Sequence, residues 1–516
     1  MIIIYILILC FSPVAVANAS CSWDGDTGTA ASASYSDVAD CLDDEQAVDG
    51  CTIILPSGDG SATWDTTLSM SGKGITLQGQ GSVNTIITDT TASGAAILID
   101  TGGTYYTRIH GIRFKGGDST NGAIKVQGGG INTFRIDNCQ FGDTCAIGIR
   151  CYADTFGVID NNIFNDCTIA VAINGAGDTS WSAPMSLGTS NAVYIEDNII
   201  NSSGTSRFAN EAYDGARYVL RYNHISNCVM GHHDFSSNGA LQRGTKSWEI
   251  YGNDVSATIN MSLLFSGRGG TGLFYDNSVI TSGSGAYSTT KIRLVNYRSS
   301  PWHEGIANNG SPSATTLDDS THDFDSETYG GAVATGYIFN VTDQSSCQVT
   351  SHTTTSVICS GGLSGGSDNQ WESGDRYVYT YYNNNGACDG YSSVDGNTDD
   401  AEGYPCHDQV GRGTDQTLAP VYGWNNTFDG TPEGFLVPSN QFAVQWASRM
   451  ATNHIVENRD YYNCTNMADA LSKSLNYTPY TYPHPLRWGD PVAGINIGSG
   501  TSTFIPGAGS HTFTPQ

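Results

Sequence analysis

One short pattern of apolar and polar positions recurs along the middle of the chain. Six octets have an apolar third position, a polar or aromatic fourth and an apolar eighth: FRIDNCQF (134–141), GVIDNNIF (157–164), VYIEDNII (193–200), YVLRYNHI (218–225), WEIYGNDV (248–255) and GLFYDNSV (272–279). Such alternation is typical of a short β-strand, whose successive side chains point to opposite faces. The third positions are therefore predicted to point inward: Ile136, Ile159, Ile195, Leu220, Ile250 and Phe274.

The sixth position of every octet but the first is asparagine: Asn162, Asn198, Asn223, Asn253 and Asn277. The steps between them are 36, 25, 30 and 24 residues, and TRIHGIRF (107–114) and VYGWNNTF (421–428) extend the series on either side. Asparagine tolerates left-handed backbone geometry and suits a tight corner, where stacked side-chain amides can form a hydrogen-bonded ladder. A second strand accompanies each octet, as in AIKVQ, IGIRC and AVAIN. This repeat predicts a solenoid of short strands, in which each coil buries its apolar face on the next.

A helical cap is predicted ahead of the first coils. YSDVADCLDD (35–44) can form a short helix, and CTIILPSGDGSATWDTTLSMSGKGITLQGQG follows it. With the octets, this stretch resembles the pectate lyase-like superfamily of right-handed parallel β-helix proteins, in which a short helix caps the open end and an ILPSG…ITLQGQG run begins the coils. The resemblance covers roughly residues 30–295 and resumes near 420. It implies an all-β fold but no single activity, because lyases, hydrolases, phage depolymerases and non-catalytic surface proteins share that fold.

The extent of the pattern divides the chain into five predicted segments. They are a signal peptide (1–19), the β-helix with its N-terminal cap (20–300), a long loop with a small β insertion and a disulfide-closed loop (301–410), the final coil or coils with a C-terminal cap (411–489), and a Gly/Ser/Thr-rich tail (490–516). The signal peptide is predicted from the apolar run Ile2–Phe11, which ends in AVANAS with small residues at Ala17 and Ala19. The run is too short to cross a membrane as a helix, and we therefore expect a secreted or cell-surface protein.

Cysteine usage agrees with export. The chain has 14 cysteines, of which Cys10 would leave with the signal peptide. The remaining odd number leaves at least one thiol unpaired, which would let two chains associate through it. Local spacing suggests three bridges, although connectivity cannot be deduced from sequence: Cys41–Cys51, Cys347–Cys359 and Cys388–Cys406.

The charge balance restricts the partners. Lys and Arg number 22 against 50 Asp and Glu, for a formal net charge of -28. Such a chain repels phosphate backbones and anionic lipid, which argues against a nucleic-acid partner or a membrane surface. A polyanionic substrate would need a local cationic patch or a bridging metal ion. Basic groups gather in VMGHHDFSSNGALQRGTKSWEIYGN (229–253), where such a patch is predicted.

An acidic polysaccharide is the substrate predicted for this patch. The second and fourth octet positions should point outward on one exposed sheet, with successive coils about 4.8 Å apart. Aromatic faces stack on sugar rings, and arginine presents a planar fork to a uronate carboxylate. The predicted substrate contacts are Tyr194, Glu196, Arg221, Glu249, Tyr275, Arg298 and Trp302.

Cleavage by β-elimination is the leading hypothesis for the chemistry. A group must neutralise the uronate carboxylate, a base must remove the C5 proton, and an acid must protonate the leaving oxygen. An imidazole can serve as the base near neutral pH, an arginine or Ca²⁺ as the neutraliser, and a tyrosine as the acid. The predicted catalytic residues are His232, His233, Asp234, Arg243, Arg268 and Tyr251. Each also has an ordinary structural interpretation, as turn, loop or ladder residues of a β-helix.

Two other functions stay open. A non-catalytic structural, filament-forming or adhesive β-helix, glycosylated at its N-x-S/T sequons, would account for the acidic, Ser/Thr/Asn/Gly-rich composition without any site. A glycoside hydrolase could use Asp234 and Glu249 as paired carboxylates. The ordered motifs of polygalacturonases and the Arg-x-Pro-x-x-Arg of pectate lyases are both absent from the chain.

A calcium site is predicted in DGNTD (395–399). Its Asp395, Asn397 and Asp399 offer hard oxygen ligands at alternate positions, as calcium loops do. The stretch lacks the glycine and the distal glutamate of an EF-hand, so it matches calcium loops only in its ligand spacing.

Overall fold

Three sheets of short strands stack along the axis of a parallel β-solenoid, which confirms the predicted all-β parallel β-helix. The computed structural model describes residues 21–56, 62–231, 243–261, 263–283, 285–287, 291–295, 303–325, 336–340, 342–343, 345–380, 408–437, 455–487, 503–504 and 511–512. From β3 to β22 the chain passes from sheet 1 to sheet 2, and in most coils on to sheet 3, before it returns to sheet 1.

Strands are numbered in chain order. Sheet 1 contains β1 (Cys21–Asp24), β2 (Thr27–Ala30), β3 (Thr52–Ile54), β6 (Thr76–Gln78), β9 (Thr107–His110), β12 (Gly130–Asp137), β15 (Thr155–Asp160), β18 (Val193–Glu196), β21 (Arg217–Arg221), β23 (Ser247–Tyr251), β27 (Thr271–Tyr275), β38 (Val421–Trp424) and β41 (Tyr461–Asn463). Sheet 2 contains β4 (Ala62–Trp64), β7 (Ile86–Asp89), β10 (Arg113–Lys115), β13 (Gln140–Gly142), β16 (Ile163–Asn165), β19 (Ile199–Asn201), β22 (His224–Ser226), β24 (Asp254–Ala257), β28 (Ser278–Thr281), β39 (Thr427–Phe428) and β40 (Thr431–Pro432). Sheet 3 contains β5 (Leu68–Ser71), β8 (Ile97–Asp100), β11 (Ile124–Gln127), β14 (Ile147–Cys151), β17 (Ile169–Asn174) and β20 (Phe208–Tyr213).

The other described strands form smaller sheets. Two parallel pairs continue the coils: β25 (Asn260–Met261) with β29 (Ala286–Tyr287), and β26 (Phe265–Gly267) with β30 (Ile292–Leu294). Antiparallel sheets follow: β31 (His303–Ile306), β37 (Arg376–Thr380), β33 (Tyr337–Asn340) and β34 (Ser345–Gln348); β32 (Thr316–Asp318), β36 (Ser356–Ile358) and β35 (Ser351–His352); β42 (Thr503–Phe504) and β43 (His511–Thr512). Strands β31–β37 surround a separate core that includes Leu317, Ile338, Val357, Trp371 and Tyr377.

Within the described ranges, three short α-helices accompany the strands: α1 (Tyr35–Asp43), α2 (Asp178–Ser182) and α3 (Met467–Ser472). Helix α1 begins at Ser34, whose hydroxyl accepts from the backbone N–H of Asp37 at 3.2 Å, and it buries Val38 and Leu42 against the first coils. It is the predicted cap. None of the helices in the described ranges is long and apolar enough to cross a membrane.

Cys41 and Cys51 are not bonded to each other, so the bridge expected from their spacing was wrong. Helix α1 turns Cys41 toward β1, where it forms a disulfide with Cys21 at a Cα–Cα distance of 5.0 Å. The thiol of Cys51 is buried and donates instead to the carbonyl oxygen of Gln46 at 3.4 Å.

The other cysteines divide into three groups. The bridge Cys347–Cys359 is confirmed, and a further bridge joins Cys145 to Cys167 on neighbouring coils. Cys388 and Cys406 lie outside the described residues. Within the described ranges, five cysteines have no disulfide, and the first four of them are buried: Cys51, Cys139, Cys151, Cys228 and Cys464.

The inward octet positions form the core of the solenoid, as predicted. The six third-position side chains are completely buried and pair in register from coil to coil: Ile136, Ile159, Ile195, Leu220, Ile250 and Phe274. On sheet 2 the eighth-position rings stack in the same way, with Phe141 at 5.4 Å from Phe114 and 4.8 Å from Phe164 between ring centroids. Packing of like residues on like residues is what a repeated coil produces.

The predicted asparagine ladder forms at the corner between sheets 1 and 2. The backbone N–H of each ladder asparagine donates to Oδ1 of the next, at 2.9 Å from Asn198 to Asn223 and 3.0 Å from Asn223 to Asn253. Each Nδ2 group also donates to a main-chain carbonyl, as from Asn223 to Ile195 at 2.9 Å. Asn426 continues the ladder beyond Asn277.

The left-handed backbone lies one residue before the position that the sequence suggested. The fifth octet residue carries the positive φ, as at Asp197 (56°), Tyr222 (56°) and Asp276 (54°). The ladder asparagine that follows is selected for its amide, which donates and accepts at once, rather than for its backbone.

We predict that Asn223→Ala will destabilise the solenoid by about 3 kcal/mol, because it removes the acceptor of the buried Asn198 backbone N–H and the side-chain donor to the carbonyl of Ile195. Urea unfolding followed by circular dichroism measures this change. Asn84→Ala is the matched control, since Asn84 is exposed and makes a single side-chain bond to Gln80. Equal urea midpoints for the two variants would contradict the role given to the ladder.

Candidate functional site

Two rows of side chains run along the outer surface of sheet 1, because the second and fourth octet positions fall into register. One row contains His110, Asp137, Asp160, Glu196, Arg221, Tyr251, Tyr275 and Trp424, and the other contains Arg108, Arg135, Val158, Tyr194, Val219, Glu249, Leu273 and Tyr422. Neighbouring members are about 4.8 Å apart, the spacing of paired strands. The octet residues singled out from the sequence therefore lie together on one face.

This face is buried, so the expectation that it is exposed was wrong. Tyr194, Glu196, Arg221, Glu249, Tyr251 and Tyr275 are each between 0% and 6% exposed. The cause is residues 464–487, here called the strap, which include α3 and run back along the outer surface of sheet 1. Substrate contact by these residues stays a prediction, and it would require the strap to leave.

The strap binds Glu249 at one end of the face. The Tyr477 hydroxyl donates to the Glu249 carboxylate at 2.6 Å, and the backbone N–H of Gly188 donates to its other oxygen at 2.7 Å. The hydroxyl of Tyr275 lies 3.0 Å from that of Tyr477. Burial raises the pKa of Glu249, and the bonds from Tyr477 and Gly188 oppose that rise. Glu249 is thus an internal anchor for the strap.

Arg221 is completely enclosed between the sheet and the strap. Its guanidinium forms an ion pair with Glu196 at 2.6 Å and donates to the Tyr251 hydroxyl at 2.9 Å. It also donates to the strap carbonyls of Tyr480 and Thr481, at 2.8 and 2.9 Å. With its donors engaged in this way, Arg221 has no free edge for a uronate carboxylate while the strap is docked.

Tyr251 is poorly suited to the predicted role of acid while it is buried. Its ring stacks on that of Tyr275 at 4.5 Å, and burial raises the pKa of its hydroxyl above the usual range of tyrosine. A raised pKa weakens a proton donor. The predicted role would again require the strap to move.

Three carboxylates lie side by side under the end of the strap. Arg487 forms ion pairs with Asp160 at 3.1 Å and Glu196 at 2.9 Å, and it also contacts Asp197. The Tyr482 hydroxyl donates to Asp197 at 2.8 Å. Burial raises the pKa of Asp160 to about 6, although its bond to Arg135 lowers it. The strap therefore neutralises a stack of like charges that would repel one another.

Arg243 and Arg268 are also largely buried. Arg243 forms a two-bond pair with Asp408, at 2.8 Å for each bond, and a further pair with Asp178 at 2.5 Å. Its guanidinium lies over the Trp181 ring at 4.8 Å. Arg268 is 6% exposed, and its Nε donates to the Ser266 hydroxyl at 3.2 Å. Neither guanidinium is presented on an open surface, and their predicted role as neutralisers stays a prediction.

The remaining predicted site residues lie outside the described residues: His232, His233, Asp234, Arg298, Trp302, Asp395, Asn397 and Asp399. Within the part of the chain that the structure describes, no three His, Cys, Asp or Glu side chains are grouped so as to hold a metal ion. The calcium site therefore stays a prediction that rests only on the sequence DGNTD (395–399).

A second polar surface, on the outside of sheet 3, was missed by the sequence reasoning. Lys125 in β11 pairs in register with Arg150 in β14, and Tyr152 follows that strand directly. Two strands further on, Tyr213 ends β20. These four residues, Lys125, Arg150, Tyr152 and Tyr213, are here called the platform. The outward alternation of IKVQ and IGIRCY was the signal that could have revealed it.

Arginine and aromatic rings interleave on the platform. The Arg150 guanidinium lies 5.3 Å from the Tyr152 ring and 5.8 Å from the Tyr213 ring, and Lys125 Nζ lies 5.0 Å from the Tyr152 ring. Both tyrosines are partly exposed. Arg150 is held by the Thr120 carbonyl at 2.8 Å and by the Tyr213 hydroxyl. Among the described residues, neither Lys125 nor Arg150 has an ion pair with a carboxylate.

Comparisons with known proteins do not identify a family. No protein-family model matches the chain, and no curated protein matches it. A solved structure, ORF18 of Geobacillus virus E2, matches with 11% identity over 64% of this chain and 74% of its own length, at a TM-score of 0.23. A likeness this weak carries no argument about fold or function.

We predict that the strap is held less tightly as the pH falls from about 6.5 to about 4. The imidazole of His484 is buried, with Nδ1 accepting from the Leu486 N–H at 3.2 Å, and burial lowers its pKa to about 4. Between these pH values the undocked histidine binds more protons than the docked one, so acid favours undocking, by up to roughly 3 kcal/mol. Proteolysis of the strap against pH measures the effect.

His484→Asn is the control, because its side-chain oxygen can replace Nδ1 without titrating in this range. The raised pKa of Asp160 acts in the opposite direction in both proteins and cancels in the comparison. If His484→Asn and the unchanged protein lose the strap with the same pH profile, the assignment to His484 is wrong.

Proposed function

We propose that this protein is an extracellular β-helix of the pectate lyase-like kind that binds an acidic polysaccharide on the platform. The observation that carries the proposal is the placement of Arg150 between two partly exposed tyrosine rings, Tyr152 and Tyr213. Aromatic rings of this kind stack on sugar rings, and cations beside them attract carboxylates.

The charge of the chain supports an acidic ligand over a neutral one. On a protein with a formal charge of -28, a lysine and an arginine without carboxylate partners in the described ranges form a local positive site. A partner carboxylate would supply the pairing that the surrounding residues do not. Salt screens charge interactions at such a surface. The proposal therefore also predicts that binding of the acidic ligand weakens as the salt concentration rises.

A stiff, non-catalytic scaffold is the second candidate, and one observation favours it. The outer face of sheet 1, where the sequence suggested a groove, is filled by the protein's own strap. The residues predicted to contact the substrate there bind the strap instead and stabilise the fold. A scaffold that adheres to an acidic glycan through the platform would be both a structural protein and a polysaccharide-binding protein, and it would not need to cleave the glycan. Glycosylation and calcium binding belong to this proposal only as expectations from the sequence.

We predict that Tyr152→Ala and Tyr213→Ala will each weaken binding of an acidic polysaccharide about 3- to 10-fold, since one aromatic contact contributes about 0.5–1.5 kcal/mol. Lys125→Met should weaken binding and reduce its dependence on salt. Titration calorimetry with a panel of uronate-containing and neutral polysaccharides measures both effects. Tyr337→Ala, which removes a partly exposed tyrosine from β33 of the insertion, is the control. Unchanged affinity in all three platform variants would refute the proposal.

β-Elimination is tested separately on the same panel, with and without Ca²⁺. A lyase produces an unsaturated uronate, whose ultraviolet absorbance grows with time. If the leading hypothesis holds, the absorbance rises and the double change His232→Ala with His233→Ala abolishes the rise. Absorbance that stays flat, with no new reducing ends, favours the scaffold.

A further inference from the structure

The charge of the outward side chains changes from coil to coil on sheet 3. Strands β8, β11, β14, β17 and β20 pair in register, so these side chains form two rows along the solenoid. The first row contains Leu98, Lys125, Arg150, Ala172 and Glu211, and the second contains Asp100, Gln127, Tyr152, Asn174 and Tyr213. Successive coils therefore carry a carboxylate, a lysine, an arginine, no charge and a second carboxylate.

Asp100 is the carboxylate on the first of these coils, and its side chain is partly exposed. The Gln127 amide donates to one of its oxygens at 2.9 Å, and the backbone N–H of Gly102 donates to the other at 3.3 Å. Both donors are uncharged, so within the described ranges no direct ion pair balances this carboxylate. Asp100 therefore repels an anionic group that approaches it from solvent.

The two platform tyrosines define the direction in which a sugar chain would cross this face. Tyr152 and Tyr213 lie in the same row, separated by the coil that carries Asn174. Paired strands repeat at about 4.8 Å, which is close to the length of one sugar residue in an extended chain. A chain stacked on both rings therefore follows the row with about one sugar per coil. Beyond Tyr152, it passes Gln127 and then Asp100.

The order of charges restricts which acidic chains fit this face. A polymer with a uronate at every sugar would bring a carboxylate against Asp100. In a chain of alternating uronate and neutral sugars, a uronate beside Lys125 places the next one beside Asn174. Neutral sugars then lie beside Asp100 and Glu211. Arg150 reaches the coil of the second uronate, since its guanidinium donates to the Asn174 side chain at 3.3 Å.

We propose that Asp100 selects the charge pattern of the polysaccharide on the platform: it rejects chains with a uronate at every sugar and admits chains in which uronate and neutral sugars alternate. This inference rests on the proposed function and deepens it, because it names the class of acidic polysaccharide. Lys125 and Arg150 attract the uronates, and Asp100 supplies the repulsion that discriminates between the two patterns. Glu211, at the other end, is only 8% exposed, so the experiment uses Asp100.

The test uses two oligosaccharides of equal length that can cross all the coils from β8 to β20: one with a uronate at every sugar, and one in which uronate and neutral sugars alternate. Titration calorimetry should show that the unchanged protein binds the alternating one more tightly. Asp100→Asn removes the charge and keeps an oxygen for Gln127. It should tighten binding of the fully acidic chain about 5-fold, the effect of two unit charges about 4 Å apart in water, and leave the alternating chain unchanged. The opposite preference in the unchanged protein, or an equal effect of Asp100→Asn on both chains, overturns the inference.

Two further variants separate this effect from a change in net charge or in folding. Asp24→Asn removes an exposed carboxylate from β1 of sheet 1 and should leave both affinities unchanged. Asp100→Glu keeps the negative charge and should keep the preference for the alternating chain. Circular dichroism confirms that each variant is folded before titration. Equal gains in Asp24→Asn and Asp100→Asn, or a lost preference in folded Asp100→Glu, would also count against the inference.

The two proposals fail in different ways. If Tyr152→Ala and Tyr213→Ala bind both oligosaccharides as tightly as the unchanged protein, or if the unchanged protein binds neither, the platform is not the binding site and both proposals fail. If the tyrosine variants lose affinity for both oligosaccharides while Asp100→Asn binds the fully acidic chain no more tightly, only the selection by Asp100 is refuted.

Discussion

At the corners between sheets 1 and 2 from Cys139 to Asn277, a backbone N–H donates to the side-chain oxygen of an asparagine on the next coil, and the other features of the solenoid depend on this bond. It fixes the register of successive coils, from Asn162 to Asn426. A slip of one residue would turn the inward isoleucines outward. Because the register is fixed, the side chains of distant octets form rows, and both outer faces inherit an ordered arrangement of charge.

The two faces resolve their charges differently. On sheet 1, carboxylates stacked at strand spacing are neutralised by arginines of the sheet and by Arg487 of the strap. The chain thus completes that surface by itself. On sheet 3, Lys125 and Arg150 have no such carboxylate partner in the described ranges. The platform is therefore the surface on which binding of an acidic ligand is proposed.

Local repetition made the fold predictable, and its absence explains the errors. The octets carry their strand pattern and corner residue within eight positions, so the core and the ladder could be derived from sequence. The strap could not, because TYPHPLRWG has no period, and its contacts join residues as far apart as Arg135 and Leu486. The platform was missed since Lys125 and Arg150 are 25 positions apart in the chain, and only their coil register brings them together.

Ladder bonds and strap bonds differ in the sequence separation of the residues that they join, and this difference determines which of them can form first during synthesis. Ladder bonds between Asn162 and Asn277 join residues 24 to 36 positions apart, so each of these coils can form soon after the preceding one during synthesis. The last ladder bond, from Asn277 to Asn426, spans 149 positions. The bonds that hold residues 477–487 of the strap on sheet 1 span 202 to 351 positions and must wait until those residues have left the ribosome. Until then, the stripe of tyrosines and carboxylates on the outer face of sheet 1 stays uncovered. Docking of the strap hides that stripe, so residues from the C-terminal part of the chain close a surface that residues far earlier in the chain have built.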